Sequence, residues 1–207
     1  MKQSSNRTEQ EILEVAERIF LTKGFSRTST VEIAKEAGCN QALVHYYFRT
    51  KEKLFQRIFS NKLALSFSNF SRPLAEDTDF LTKIRHIVDT YFEFLSVNET
   101  LPYFLVSELL TSSSLRQMLV DAFFSNPKAQ EIFRSFDASV REEVAKGTIR
   151  RIDTLNLMMD IVSLCLSTFI AKPIITATIK DDPNREGAYL DMRRREIGEV
   201  LVSGIKA

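Results

Sequence analysis

Residues 29–48 read STVEIAKEAGCNQALVHYYF, and these positions decide the fold. Ser29 followed by Glu32 has the spacing of a capping box, in which each side chain satisfies a free amide at a helix start. Ile33, Ala34 and Ala37 continue a short helix, and Gly38 ends it because glycine alone takes a left-handed turn without steric cost. Asn40 is a strong N-cap for a second short helix over about 41–47. Two short helices joined by the tight Ala37-Gly38-Cys39 turn form a helix-turn-helix, with the motif at about 29–48. Ala34 is small where the helices cross, and Val44 points back toward the core.

The pattern extends in both directions. Thr8 with Glu11 is a second capping box. Ile12, Val15, Ala16, Ile19 and Phe20 follow on one helical face, and Gly24 stops a first helix expected over about 8–23. Thr50 caps a longer helix carrying Leu54, Phe55, Ile58 and Phe59. Residues 1–62 hold eleven Lys and Arg against seven Asp and Glu, whereas the remainder holds seventeen against twenty. A basic head on a mildly acidic body, hidden inside a net charge of +1, points to an anionic partner for the head.

Composition removes most alternatives. Six glycines and five prolines in 207 residues are about 5%, against roughly 12% in an average chain, which favours an all-α protein over a turn-rich β-sandwich. The glycines have neither the dinucleotide nor the P-loop spacing. Cys39, Cys165, His45 and His86 have neither a zinc nor a redox spacing. No cofactor, metal site or catalytic residue is therefore expected. Met1–Gln10 does not read as a signal peptide. The longest apolar run, Leu155–Thr178, is broken by Asn156, Asp160, Lys172 and Pro173, so it makes a poor membrane span. A soluble cytoplasmic protein, not associated with a membrane, is expected.

The stretch Thr8–Phe55 resembles the DNA-binding domain of the TetR family of transcriptional repressors. The matching pieces are Ile12-Leu13 with Ala16 and Phe20, Gly24-Phe25, Thr28-Ser29-Thr30, Ile33-Ala34, Ala37-Gly38-Cys39-Asn40, Val44-His45-Tyr46-Tyr47-Phe48 and Lys51-Glu52-Lys53-Leu54. Two positions depart from the family pattern: His45 stands where many members have Tyr, and Leu43 lies where Thr or Ser is frequent. The resemblance implies a three-helix DNA-binding domain over 1–53 and a helical effector-binding and dimerisation domain over 54–207, with about nine helices in all.

A helix fits the major groove and presents its outward side chains to base edges. On the 41–47 helix, Val44 and Phe48 share a face expected to be buried, and Gln41 and His45 project from the opposite one. Gln41 is suited to bidentate pairing with adenine and His45 to donating to guanine or thymine, with Ala42 and Leu43 against thymine methyls. The hydroxyls of Tyr46 and Tyr47 and the charge of Lys51 suit phosphates. By resemblance, Thr28, Ser29 and Thr30 belong to the same backbone-gripping set. One short helix reads too few base pairs for specificity, so a homodimer on a double-stranded palindromic operator is expected.

In the body, breakers mark helices at about 50–71, 79–97, 102–110, 115–124, 127–145, 153–176 and a last one to about Gly204, with no sheet. Leu155–Ala171 is apolar nearly all round, as in a helix buried on two sides. By resemblance, the last two helices supply the dimer interface, through Met158, Val162, Leu166, Ile197, Leu201 and Ile205, with Gly204 permitting close approach. Phenylalanine is concentrated over 56–136. Phe67, Phe70, Tyr91, Phe94, Tyr103, Phe104, Phe123, Phe124 and Phe133 are candidates to frame a cavity for a small apolar or aromatic effector, with Glu93, Glu108 or His86 as polar anchors. A Phe-rich core explains the same rings equally well, and resemblance favours the cavity. The leading reading is a ligand-responsive transcriptional repressor. The alternatives are a helical interaction module without specific DNA binding and a small-molecule enzyme using Glu93, Glu108, His86 or Asp89.

Overall fold

The computed structural model describes the backbone of residues 2–207 apart from 112, 114–115, 118–119, 122–125 and 180–181, and the side chains of the same residues apart from 2–6, 63, 67, 108–109, 111 and 183. Among the described residues the chain forms ten α-helices and no named strand: α1 Lys2–Lys23, α2 Thr30–Glu36, α3 Gln41–Phe48, α4 Lys51–Leu74, α5 Phe80–Val97, α6 Thr100–Thr111, α7 Pro127–Lys146, α8 Thr154–Ile170, α9 Lys172–Thr178 and α10 Pro183–Ile205. An isolated antiparallel bridge joins Ile149 to Lys206. The helix expected over 115–124 lies largely outside the described residues.

The helices form two compact units. One comprises 1–63 with 103–126, the other 64–102 with 127–207. The boundary expected at 53/54 falls inside the first unit. Leu54, Phe55, Ile58 and Phe59, all on the first turns of α4, are buried in the first unit.

In that unit Ile12, Ala16, Ile19 and Phe20 of α1 turn inward as one stripe. Phe20, Phe25 and Phe55 meet at centroid separations of 5.0–5.7 Å, and Phe59 stacks on Phe104 at 4.7 Å. Edge and offset ring packing adds about 0.5–1.5 kcal/mol per pair beyond area burial. The expected Thr8–Glu11 box does not start α1, which begins at Lys2. The caps at Ser29, Asn40 and Thr50 form, although the Glu32 carboxylate pairs with Lys23. Ser29 Oγ accepts from the Glu32 amide and Asn40 Oδ1 from the Leu43 amide, while Thr50 Oγ1 accepts from the Lys53 amide. At the turn, Gly38 has φ +65°. Cys39 N–H donates to the Ala34 carbonyl at 2.9 Å and Gly38 N–H to that of Lys35 at 3.2 Å, the paired bonds of a Schellman motif.

The second unit is built around α5, which packs on α8 and α10. Ile84, Ile87, Val88, Tyr91, Phe92 and Leu95 give α5 a wide buried face. Phe136 and Val140 of α7, Leu157, Ile161, Cys165 and Phe169 of α8, and Ile197, Leu201 and Ile205 of α10 close the same core. The helix expected over 153–176 divides at Ala171, where α8 and α9 meet at 50°. Pro173 lies in the first turn of α9, where its missing N–H costs nothing. No single helix among the described residues is long and apolar enough to cross a membrane. Within the subunit a Cβ on Gly204 would meet nothing within 4 Å, whereas one on Gly198 would meet Arg85 Cγ at 3.5 Å.

Two glycines separate backbone strain from helix propensity. A methyl group at Gly38 or at Gly187 would meet no atom within 4 Å, but only Gly38 has a positive φ. Gly38→Ala is expected to destabilise by about 1–2 kcal/mol. Gly187→Ala, inside α10, is expected to stabilise by about 0.5–1 kcal/mol. Urea denaturation of the two variants measures the opposite signs.

Candidate nucleic-acid interface

Val44 and Phe48 are 2% and 6% exposed and set the roll of α3. The opposite face then carries Gln41, Ala42, His45 and Tyr46 to the surface, with Leu43 and Tyr47 half-buried beside them. Tyr46 is 68% exposed, which makes it a surface residue and not a core one. Its ring meets that of Tyr47 edge to face at 5.2 Å.

Three of the expected phosphate contacts also make hydrogen bonds within the protein. Thr28 is 3% exposed, and its hydroxyl donates to the Gly24 carbonyl at 2.8 Å. It closes the loop after α1, as short hydroxyls commonly do by bonding a nearby backbone carbonyl. Ser29 caps α2. Thr30 is half-buried and accepts from Gln41 Nε2 at 3.0 Å.

Lys51 is also largely committed. Its ammonium donates to the carbonyls of Phe25 at 3.0 Å and Thr28 at 2.9 Å and lies 4.2 Å from the centre of the Phe25 ring. It clamps the loop between α1 and α2 to the start of α4. Of its three donors, one is left for a phosphate.

The hydrogen bonds of Gln41 and His45 also differ from those expected. Gln41 Nε2 lies 3.2 Å from His45 Nε2, and His45 Nδ1 lies 3.0 Å from the Arg49 carbonyl. Arg49 has φ 67° and ψ −55°, and Thr50 N–H donates to the Phe48 carbonyl at 2.7 Å. This is the γ-turn of positive φ, a strained conformation for a non-glycine residue. Sequence reasoning did not single out Arg49. Its basic neighbours Lys51 and Lys53 were a signal of charge, but nothing in the residue type announced the turn. Cys39 is half-buried in the turn. Desolvation, then the nearby charge of Glu11, raises its thiol above the ordinary range, which disfavours a reactive thiolate.

The candidate effector rings are divided between the two units. Tyr103 and Phe104 belong to the first unit, and Phe70, Tyr91, Phe94 and Phe133 to the second. The Phe67 side chain, Phe123 and Phe124 lie outside the described residues. Phe70 and Tyr91 are 1% and 4% exposed and pack in the core. Burial raises the Tyr91 phenol, and the same effect pushes the Cys165 thiol up to about 12. Phe94 lines a shallow groove of about 580 Å³ between α4 and α5, with Arg72, Thr90 and Glu93. His86 pairs with Glu76, and the Glu108 side chain is outside the described residues.

Four of the expected dimer contacts are likewise core residues. Met158, Ile197, Leu201 and Ile205 are 1–7% exposed and fill the subunit's own interior. Val162 and Leu166 are half-buried against that core. The exposed apolar side chains on α8 and α10 are Leu155, Met159, Met192 and Val200, each 50–56% exposed. An apolar stripe specifies burial, and the interior claimed those side chains first.

A helix-turn-helix whose second helix is solvent-facing on one side, with basic residues at its end, defines a DNA-binding domain. Residues 12–58 match the family model of bacterial regulatory proteins, tetR family. The chain is 43% identical over 58 residues, 28% of this chain and 27% of the other, to the HTH-type transcriptional regulator AcrR of Shigella flexneri. It is 24% identical over 186 residues, 89% of this chain and 83% of the other, to the nucleoid occlusion factor SlmA of Mannheimia succiniciproducens. The fold is similar to that of the transcriptional regulator FadR of Bacillus subtilis, solved in complex with stearoyl-CoA. The TM-score is 0.69 at 20% identity, covering 95% of this chain and 98% of that one. Residues 12–58 thus match the tetR family's DNA-binding domain, and the chain is similar in fold to solved transcriptional regulators of that family.

Lys51 and Tyr46 should separate structure from contact. Lys51→Met removes both carbonyl bonds and is expected to lower stability by about 1–3 kcal/mol in the absence of DNA. Tyr46→Phe, at an exposed hydroxyl, is expected to leave stability within about 0.5 kcal/mol while weakening DNA binding. Melting curves and DNA titrations of both variants check this.

Proposed function

We propose that the protein is a homodimeric repressor that binds a palindromic operator and is released by a small apolar or aromatic effector. The observation that carries the reading is the outward face of α3, where Gln41, Ala42, His45 and Tyr46 are exposed together while Val44 and Phe48 anchor the helix. Gln41 and the Ala42 methyl group face base edges, Tyr46, Tyr47 and Ser29 face phosphates, and Thr30 and Lys51 hold the frame. Thr28 has a structural part alone.

Two-fold symmetry is needed because two short helices one turn of DNA apart read twice the sequence of one. Leu155, Met159, Met192 and Val200 supply apolar surface on the two helices expected to pair. The named likeness to FadR with stearoyl-CoA supports an apolar effector. Its action requires only that it bind better to a state whose two reading helices are wrongly spaced for the operator. The relatives above are named as regulators and occlusion factors, which supports a non-enzymatic role.

The test is fluorescence anisotropy of the full-length protein on its own upstream DNA at several salt concentrations. The expected outcome is competitor-resistant binding by two protomers or a multiple, with log affinity falling linearly with log salt. Purely salt-driven binding to every sequence, including sites selected from random DNA, overturns it. Met159→Glu combined with Val200→Glu is expected to yield a folded monomer with at least about a hundredfold weaker operator binding. Sedimentation velocity reads the first effect and anisotropy the second.

A further inference from the structure

The exposed hydrogen bonds on α3 have a direction. The Arg49 carbonyl can only accept, so His45 Nδ1, 3.0 Å away, must carry the ring proton. A neutral imidazole has one such proton. Nε2 is therefore bare and can only accept. The group 3.2 Å from it is the Gln41 amide, which must present its nitrogen there. The second proton of that nitrogen goes to Thr30 Oγ1 at 3.0 Å.

For a neutral ring the reverse arrangement fails on the same geometry. With Gln41 Oε1 turned to His45, the neutral ring would need its proton on Nε2. Nδ1 would then face the Arg49 carbonyl with lone pair against lone pair at 3.0 Å. Amide orientation and ring tautomer are read from the network in this way, and here the network begins at a backbone oxygen that the γ-turn at Arg49 holds in place.

Resting on the DNA-binding reading above, we propose that His45 is a positioning residue whose tautomer turns the Gln41 carboxamide so that Oε1 alone faces the DNA. Both amide protons of Gln41 and both ring nitrogens of His45 are engaged within the protein. What remains for a base edge is an acceptor. Gln41 therefore reads a base amino group, adenine N6 or cytosine N4, and does not make the two-armed contact to adenine N6 and N7 open to an unconstrained glutamine. His45 makes no base contact of its own.

Two measurements on the full-length protein test this. In the free protein, ring ¹⁵N shifts of labelled histidine, assigned with His86→Gln, should show His45 protonated on Nδ1 and bare on Nε2. A proton on Nε2 overturns the proposal. On DNA, sites are selected from random sequence, and Gln41→Ala locates the base pair that Gln41 reads. Removing the amino group there, with purine in place of adenine or 2-pyrimidinone in place of cytosine, is expected to weaken binding about tenfold. The two replacements separate adenine from cytosine, and either loss should vanish in Gln41→Ala. Replacing the purine N7 by carbon should change affinity less than about twofold in the wild type. It should become costly in His45→Phe, which frees the amide. A wild-type N7 effect equal to the amino effect, no amino effect, or selected sites indifferent to Gln41→Ala overturns the proposal while leaving the DNA-binding reading intact. If no sequence is selected over competitor DNA, the DNA-binding reading itself fails and this base assignment with it, whatever the tautomer.

Discussion

Burial of Val44 and Phe48 fixes the rotation of α3 about its axis, and everything that helix presents depends on that rotation. Turned by a third of a circle, the same helix would offer apolar groups to water and lose Gln41 and His45 from its outer face. Burying two such side chains is worth several kcal/mol, at about 1.5–3 kcal/mol each. No exposed hydrogen bond on α3 competes with that. The Schellman turn at Gly38 and the Asn40 cap then place the start of the helix, and the γ-turn at Arg49 fixes its end. The face that α3 presents is therefore set by contacts that lie beneath it.

Around α3 the protein satisfies its own polar groups before it offers them outward. Thr28 closes a loop, Ser29 caps a helix, Lys51 binds two carbonyls and Thr30 accepts a hydrogen bond from Gln41. The cost of a buried or crowded polar group without a partner, about 1–3 kcal/mol, explains why residues expected to grip phosphates are used internally. The exposed face of α3 that the proposed DNA contact would use is a smaller set, chiefly Gln41, Ala42 and Tyr46.

The second unit follows a similar order of priorities. Its core surrounds α5, and Phe70, Tyr91, Met158, Ile197 and Leu201 go into it because enclosed apolar area is the largest favourable term available. The side chains left exposed on α8 and α10 are those the interior could not take. They form the apolar surface that the proposed dimer would cover. Exposed ion pairs such as Arg85 with Glu199 add little, since solvent screens them.

Local chemistry was legible from the residues. The Ser29, Asn40 and Thr50 starts, the Gly38 turn, the all-α character and the opposed faces of α3 each depend on positions within one or two turns of each other, where spacing alone carries the information. Elements that depend on distant partners were not legible. These include the ammonium of Lys51 reaching carbonyls at residues 25 and 28, the burial of Thr28, and the division of the aromatic residues between two units. The split of the 153–176 helix at Ala171 and the start of α1 at Lys2 were missed because several locally acceptable helix limits compete. An apolar stripe states that a face will be covered, but which surface covers it is decided by the free energy of the assembled interior. By itself the sequence determined the helices, their caps and the motif. The tertiary structure alone decided which polar groups remain for DNA, because a hydrogen bond already satisfied within the protein is not available to a base.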